Sequence, residues 1–391
     1  MTRAGLSFLI SILALLAIGL VVLASASGAY GLYLYNDAWH FIIRQGIWVG
    51  VSIAVGVAAY FFDYHKWREM PWLTVLLYLV VVGLMAAVFA FPEVKGSHRW
   101  LKITSSLRLQ PSEFGKLAVV IATAVFIDRA GWRVSKFWKG AVRASFLVAV
   151  IMGLAVAEPD FGATMVIGIT AGALFFISGM KILHLIALGA MGGAAVGVPL
   201  MLNKNRMNRI LSWFKSSVSD GGTAVLTAKE QAAEHQVNAA LVAIRNGGTT
   251  GVGYTKSMQK LQYLPEAHTD FIFAVGAEEL GLVFSLALLA LYVTVMVLGM
   301  IAAARSPDRL GRLIAYGMTF LIVFQALFNL GVVTKCLPTK GIALPFISYG
   351  GTNLLTAAVA SGIILNVFRQ IESPKLRPRS IISPMFETEG A

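Results

Sequence analysis

The chain has 391 residues, 57% of them hydrophobic and only 13% charged, with Lys and Arg exceeding Asp and Glu for a formal net charge of +13. Soluble domains carry about a quarter charged residues, so this composition excludes an ordinary water-soluble fold. In a lipid setting the basic excess points to cytoplasmic loops and anionic headgroups, not to nucleic acid, and the single cysteine, Cys336, rules out an intramolecular disulfide or a multi-cysteine metal or iron–sulfur site.

A helix needs about 20 apolar residues to cross the hydrocarbon core. That criterion predicts spans at 6–25, 46–62, 72–92, 114–128, 142–157, 162–179, 182–201, 271–304, 313–334 and 348–368. The first follows Arg3 almost directly and runs longer than a signal-peptide core, so it is read as a retained span. The expected fold is an all-α membrane protein, a polytopic bundle of about ten transmembrane helices. It forms one domain over 1–391, with a large structured extracytoplasmic loop at 202–270 and a cytoplasmic tail at 369–391.

Orientation follows from the Lys and Arg bias of short loops, which stay on the cytoplasmic side during insertion. With the N-terminus inside, that side collects Lys66, Arg68, Arg129, Arg133, Lys136, Lys139, Arg143, Arg305, Arg309, Arg312 and the tail residues Arg369, Lys375, Arg377 and Arg379. The opposite face receives 28–44, 93–113, 158–161, 202–270 and 335–347. The 93–113 loop breaks the rule with Lys95, Arg99, Lys102 and Arg108. It is either an ordinary basic loop or a site for an anionic group, since such side chains suit phosphate.

The 202–270 connection is far longer than usual, and such loops are generally functional or disordered. Met207, Ile210, Leu211 and Phe214 fall at helical spacing, with Lys204, Arg206, Arg209 and Lys215 on the remaining surface, which predicts an interfacial amphipathic helix. Val237, Ala240, Leu241 and Ile244 repeat the spacing and predict a second helix ending at Gly247. Glycines then recur at 247, 248, 251 and 253. They could bring backbone amides close to a phosphate or sugar, or simply form a surface turn.

Where the loop re-enters the membrane, Glu266, His268 and Asp270 lie within five residues. Thr269 or Asp270 could cap the next helix. A carboxylate at a membrane boundary is also partly desolvated, which raises its pKa toward that of a general base. Deeper in that span, Glu278 and Glu279 are costly unless they face protein or water, either as hydrogen-bonding partners of a neighbouring helix or along an ion pathway. Asp160 in the 158–164 turn is placed to cap the following span, and it could equally face the same outer cavity. The 338–351 block, with two prolines and three glycines plus Lys340 and Ser348, is a stiff non-helical segment of the kind tolerated at membrane depth only beside protein or a cavity.

Taken in order, Lys95-Gly-Ser-His-Arg-Trp-Leu101, Gln110-Pro-Ser-Glu-Phe-Gly-Lys116, Glu158-Pro-Asp-Phe-Gly-Ala-Thr164, the 247–270 block and the 338–351 block closely resemble the SEDS family (shape, elongation, division and sporulation). Pro338-Thr-Lys-Gly341 and Ala267-His-Thr-Asp270 look more like its division branch than its elongation branch. The resemblance implies a peptidoglycan glycosyltransferase that polymerises lipid II on the outer face of the bacterial cytoplasmic membrane at the septum. It also implies a class B penicillin-binding protein transpeptidase and other division proteins as partners. The aspartate required in the family falls, by motif, on Asp270. Bottom-up chemistry agrees, because the acceptor 4-hydroxyl must lose a proton as it attacks C1 of the donor sugar.

Arg99, Lys102, Lys116 and Lys340 are candidates to stabilise the leaving pyrophosphate. Glu113, Asp160, Lys260, Glu266, His268 and Ser348 complete the candidate substrate-binding set. No resident cofactor is certain. A divalent cation, Mg or Mn, could share the charge, with Asp270 as its ligand instead of a base. Lys335-Cys336 and Thr352-Asn353 depart from the family pattern and leave the detailed lining of the last loop open. Two other readings remain: a transporter moving lipid II across the bilayer with Glu278 and Glu279 as coupling residues, and a scaffold that recruits the transpeptidase. The sequence shows no internal repeat, which transporters commonly have.

Overall fold

The computed structural model describes residues 2–92, 98–102, 108–202, 228–261, 264–338 and 341–372. Lys340, the amphipathic segment around Met207 to Phe214, Lys95 and the tail beyond 372 lie outside the described residues.

The helices, in order, are α1 Arg3–Tyr35, α2 His40–Phe61, α3 Pro71–Ala87, α4 Pro111–Ala130, α5 Val142–Ala157, α6 Phe161–Ile177, α7 Ile182–Leu202, α8 Ala228–Gly247, α9 Ile272–Arg305, α10 Arg309–Val333 and α11 Gly351–Glu372. Every predicted span has its helix, and α8 ends at the predicted Gly247. Among the described residues, six helices (α1, α2, α3 with its short extension, α9, α10 and α11) are long and apolar enough to cross a membrane. The apolar α5 is shorter, at 16 residues, and α4 carries Glu113, Lys116, Asp128 and Arg129. The chain is a multi-pass membrane protein. Consistent with lipid as solvent, leucines, valines and isoleucines of α1, α2, α3 and α9 face outward, while α4, α10 and α11 form the enclosed core.

Two features depart from a simple row of spans. Leu101–Lys102 and Arg108–Leu109 pair as a short antiparallel ribbon, with Lys102 directly opposite Arg108. Inside α9, Gly281 adopts φ 72°, ψ −162°, so the helix is broken between Leu280 and Leu282.

One end of the bundle is tied together by a charged cluster. His65 Nδ1 lies 2.8 Å from Asp63 Oδ1, and its Nε2 stands 3.2 Å from Asp308 Oδ2. The Tyr64 hydroxyl donates to Asp308 Oδ1 (2.8 Å), and Asp308 also caps α10 through the Gly311 amide (3.0 Å). Gln370 of α11 donates to Asp63 (2.7 Å) and Asn366 donates to the Tyr60 carbonyl (2.6 Å). The ends of α2, α9, α10 and α11 are thereby joined. Burial alone would lower the pKa of His65, but the two carboxylates hold it above the ordinary histidine value.

Candidate active site

At the opposite end, residues 341–350 run among the helices as irregular backbone, and the side chains around them explain how such a loop survives there. Its polar groups are satisfied by buried side chains. Asn329 of α10 donates to the carbonyls of Ile342 (2.6 Å) and Asp270 (2.8 Å). Gln325, one turn earlier, donates to Ala343 (2.9 Å) and to Asn353 Oδ1 (2.7 Å). Ser348 Oγ accepts from the Leu344 amide (2.8 Å) and donates to the Thr269 carbonyl (2.6 Å), while the Tyr349 amide donates to the His268 carbonyl (3.0 Å). Tyr292 of α9 donates to Pro345 (2.5 Å), and Gln45 of α2 reaches the Ser348 carbonyl (3.4 Å).

This loop is the wall against which Asp270 rests. A Cβ placed on Gly341 would overlap Asp270 Oδ2 and stand 3.1 Å from its Cγ. The N-cap position of α9 is Phe271, whose side chain makes no capping bond, and the Thr269 hydroxyl donates to Glu266. The Asp270 carboxylate sits just before a helix N-terminus, against backbone that leaves no room for a side chain.

The other candidate residues fall into four groups. Lys116 pairs with Glu113 (2.6 Å) one turn earlier on α4 and donates to Gln325 Oε1 (2.6 Å), so it joins the loop network from below. Glu113 also accepts from Thr356 of α11 (3.4 Å). Asp160 caps α6 through the Ala163 amide (3.3 Å), as expected, and accepts from Gln110 (2.8 Å) and Ser112 (2.9 Å). The next glycine, Gly162, packs on Ile342 and the Gly341 carbonyl, which brings the 158–164 turn to the same loop. Arg99 clamps that turn by donating to the carbonyls of Glu158 (3.4 Å) and Pro159.

His268 is buried with its ring against Tyr30 (5.0 Å) and Phe41 (4.8 Å). Glu266 holds φ 57° and accepts the Thr269 and Phe271 amides at its carbonyl, shaping the turn before Asp270. Lys102 is exposed on the ribbon. Lys260 pairs with Glu279 (2.7 Å) in a separate buried cluster. Among the described residues, no three His, Cys, Asp or Glu side chains form a metal-ligand cluster. Mg or Mn at Asp270 would draw its other ligands from phosphate oxygens and water.

The glycine-rich stretch after α8 is not a free surface turn. It packs on the backbone of α9 at the Gly281 break, with Val252 and Gly253 amides donating to the Glu278 and Glu279 carbonyls (3.0 Å each). Glu278 and Glu279 likewise have structural partners, Ser257 and Asn246 for the first and Ser25 and Lys260 for the second. Sequence reasoning missed Gln325 and Asn329. Two amide side chains at i and i+4 inside an apolar span were the available signal.

Glu158 is buried, and neither of its carboxylate oxygens finds a hydrogen bond among the described residues. Burial, reinforced by neighbouring Asp160 and only partly opposed by Arg99, pushes its pKa up to about 8.

The family model described as cell cycle protein, FtsW/RodA/SpoVE, matches residues 6–373. A relative from Coxiella burnetii named probable peptidoglycan glycosyltransferase FtsW is 34% identical over 366 residues, covering 92% of this chain and 95% of its own. A Geobacter sulfurreducens relative of the same name is 32% identical over 372 residues, covering 95% and 96%. Among solved structures, a chain of a peptidoglycan synthase complex aligns at TM-score 0.72 with 24% identity, covering 94% of this chain and 98% of that one. Thermus thermophilus rod shape determining protein RodA aligns at TM-score 0.67 with 23% identity, covering 94% and 97%.

Proposed function

Because the chain belongs to the FtsW/RodA/SpoVE family of cell cycle proteins, we propose that it polymerises lipid II with Asp270 as the reacting carboxylate. It is a peptidoglycan glycosyltransferase of the division type, the activity carried in the names of its relatives. In the reaction, the 4-hydroxyl of the acceptor GlcNAc attacks C1 of the donor MurNAc. The bond from C1 to the lipid pyrophosphate breaks, undecaprenyl pyrophosphate leaves with the bonding pair, and Asp270 takes the hydroxyl proton. The observation that carries this reading is the placement of the Asp270 carboxylate against Gly341, with its own backbone carbonyl fixed by Asn329. A base held on rigid backbone gains from orientation.

The Lys and Arg bias supports an orientation with both the N-terminus and the 373–391 tail cytoplasmic, so that Asp270 faces outward at the division septum. Arg99 and Lys340 are the cations we assign to the pyrophosphate side. A class B penicillin-binding protein is the partner that would crosslink the product, alongside other division proteins. The rival transporter reading relies on Glu278 and Glu279 as coupling groups, and their hydrogen bonds to Ser25, Ser257 and Lys260 favour a structural task instead.

Purified protein with its partner transpeptidase, given lipid II, tests the proposal. Wild type should yield glycan polymer and Asp270→Ala none. Normal polymerisation by Asp270→Ala would overturn the base assignment, and movement of lipid II between leaflets without polymer would favour the transporter.

A further inference from the structure

The break at Gly281 divides α9 into a short segment, which begins directly after Asp270 and Phe271, and a long membrane-crossing remainder. A break frees carbonyls that the helix can no longer satisfy and leaves the short segment without a continuous helical anchor. In this chain the loop following α8 fills the gap. Besides the Val252 and Gly253 bonds, the Leu282 amide donates to Gly248 (3.0 Å), in place of the carbonyl one turn back in its own helix. Gly251 has φ 82° and abuts the Glu279 carbonyl, so no side chain fits at that contact.

Side chains then fasten the inserted loop. Lys260 Nζ donates to Glu279 Oε1 (2.7 Å), Ser25 Oγ (2.8 Å) and the Thr255 carbonyl (2.8 Å). Ser25 Oγ in turn donates to Glu279 Oε1 (2.6 Å), closing a ring between α1, the loop and the short segment. An ammonium has three protons, and all three are committed inside the protein. The pair is also deeply buried, where loss of one partner strands the other charge.

We propose that Lys260 and Glu279 are positioning residues for polymerisation: they lock the 247–260 loop into the Gly281 break and thereby fix the short helix that directly follows Asp270. The arrangement couples α8 to the reacting carboxylate, because movement of α8 pulls on the same inserted backbone. This rests on Asp270 being the reacting group. It reassigns Lys260 from substrate contact to placement of the base.

The test uses the full chain with its partner transpeptidase in lipid, with lipid II as the probe. Lys260→Met should lower kcat about tenfold or more, the penalty expected of a misplaced catalytic group, while KM for lipid II stays within about threefold because no substrate contact is lost. Lys260→Arg should recover most of the rate. Amide hydrogen exchange at 247–253 and 272–280 should quicken in Lys260→Met and be restored in Lys260→Arg. Should Lys260→Met fail to fold, Ser25→Ala and Glu279→Gln carry the same kcat and exchange readouts. A raised KM with unchanged kcat would make Lys260 a substrate ligand and overturn the proposal, as would an unchanged kcat with unchanged exchange. With Asp270→Ala alongside, an inactive Asp270→Ala beside a fully active Lys260→Met refutes only the positioning role. An active Asp270→Ala refutes the base assignment on which it rests.

Discussion

Gly341→Ala puts the Asp270 assignment under a specific strain. The added methyl would overlap Oδ2 and lie 3.1 Å from Cγ, whereas ordinary contact begins near 3.4 Å. To clear it, the carboxylate must retreat by roughly 1 Å, and a displacement of that size at a reacting group can cost about 100-fold in rate, or about 2.7 kcal/mol of barrier. The obstructing atom is the end of a side chain, which can swing aside, so the cost in stability should be small, within about 1 kcal/mol. The expected signature is therefore a fall in kcat of about two orders of magnitude for glycan polymerisation from lipid II, with a melting temperature close to wild type. A Gly341→Ala protein that polymerises within threefold of wild type would show that the position of the Asp270 carboxylate does not limit the reaction. A protein that melts far lower would show that the alanine displaces backbone instead.

Two further substitutions test the charges. Because Glu158 has its pKa raised from 4.5 to about 8, the folded protein keeps a proton between those values that the unfolded chain releases, so stability falls as pH rises through that window. Glu158→Gln should remove this slope and raise the melting temperature most at and above pH 8; an unchanged slope would mean that Glu158 does not titrate there. His65, with its pKa raised by Asp308 and Asp63, stabilises the fold in full below about 6.5, and that contribution is lost as pH rises through the folded-state value. His65→Gln should lower the melting temperature at acidic pH and converge on wild type at alkaline pH. Equal losses at both pH values would assign the effect to packing alone.

The spans were legible because lipid imposes a simple requirement, about 20 apolar residues in a row, and the helices follow the hydropathy. Their ends were less so. The predicted first span stops at 25, yet α1 runs 33 residues to Tyr35, about 50 Å at 1.5 Å per residue. The Ser, Gly and Tyr residues beyond Leu23 carry no strong membrane signal. Their helix persists because it packs on the turn that leads into α2, where Gly31 meets the Asp37 carbonyl, and because Asn36 closes it in a left-handed cap. The break in α9 was invisible for the complementary reason. The immediate neighbours of Gly281, Leu280 and Leu282, are apolar, and hydropathy does not report backbone direction.

The candidate site shows a sharper division between what residue type reveals and what only packing supplies. Asp270 stood out because an acidic residue at a membrane boundary is conspicuous. The residues that hold it do so through main-chain carbonyls, which no sequence motif displays: Asn329 binds the Asp270 carbonyl, and Ser348 binds that of Thr269. The glycines misled for the same reason. A stretch that lets backbone approach closely suits a phosphate, a sugar or another stretch of backbone equally, and at 251 the neighbour is the opened helix of the protein itself. Lys260 illustrates the consequence. Taken alone it is a cation in an outward loop and a natural phosphate ligand. Once Glu279 and Ser25 are seen to claim its protons, the same charge becomes, on our proposal, a fastener for the helix that follows Asp270.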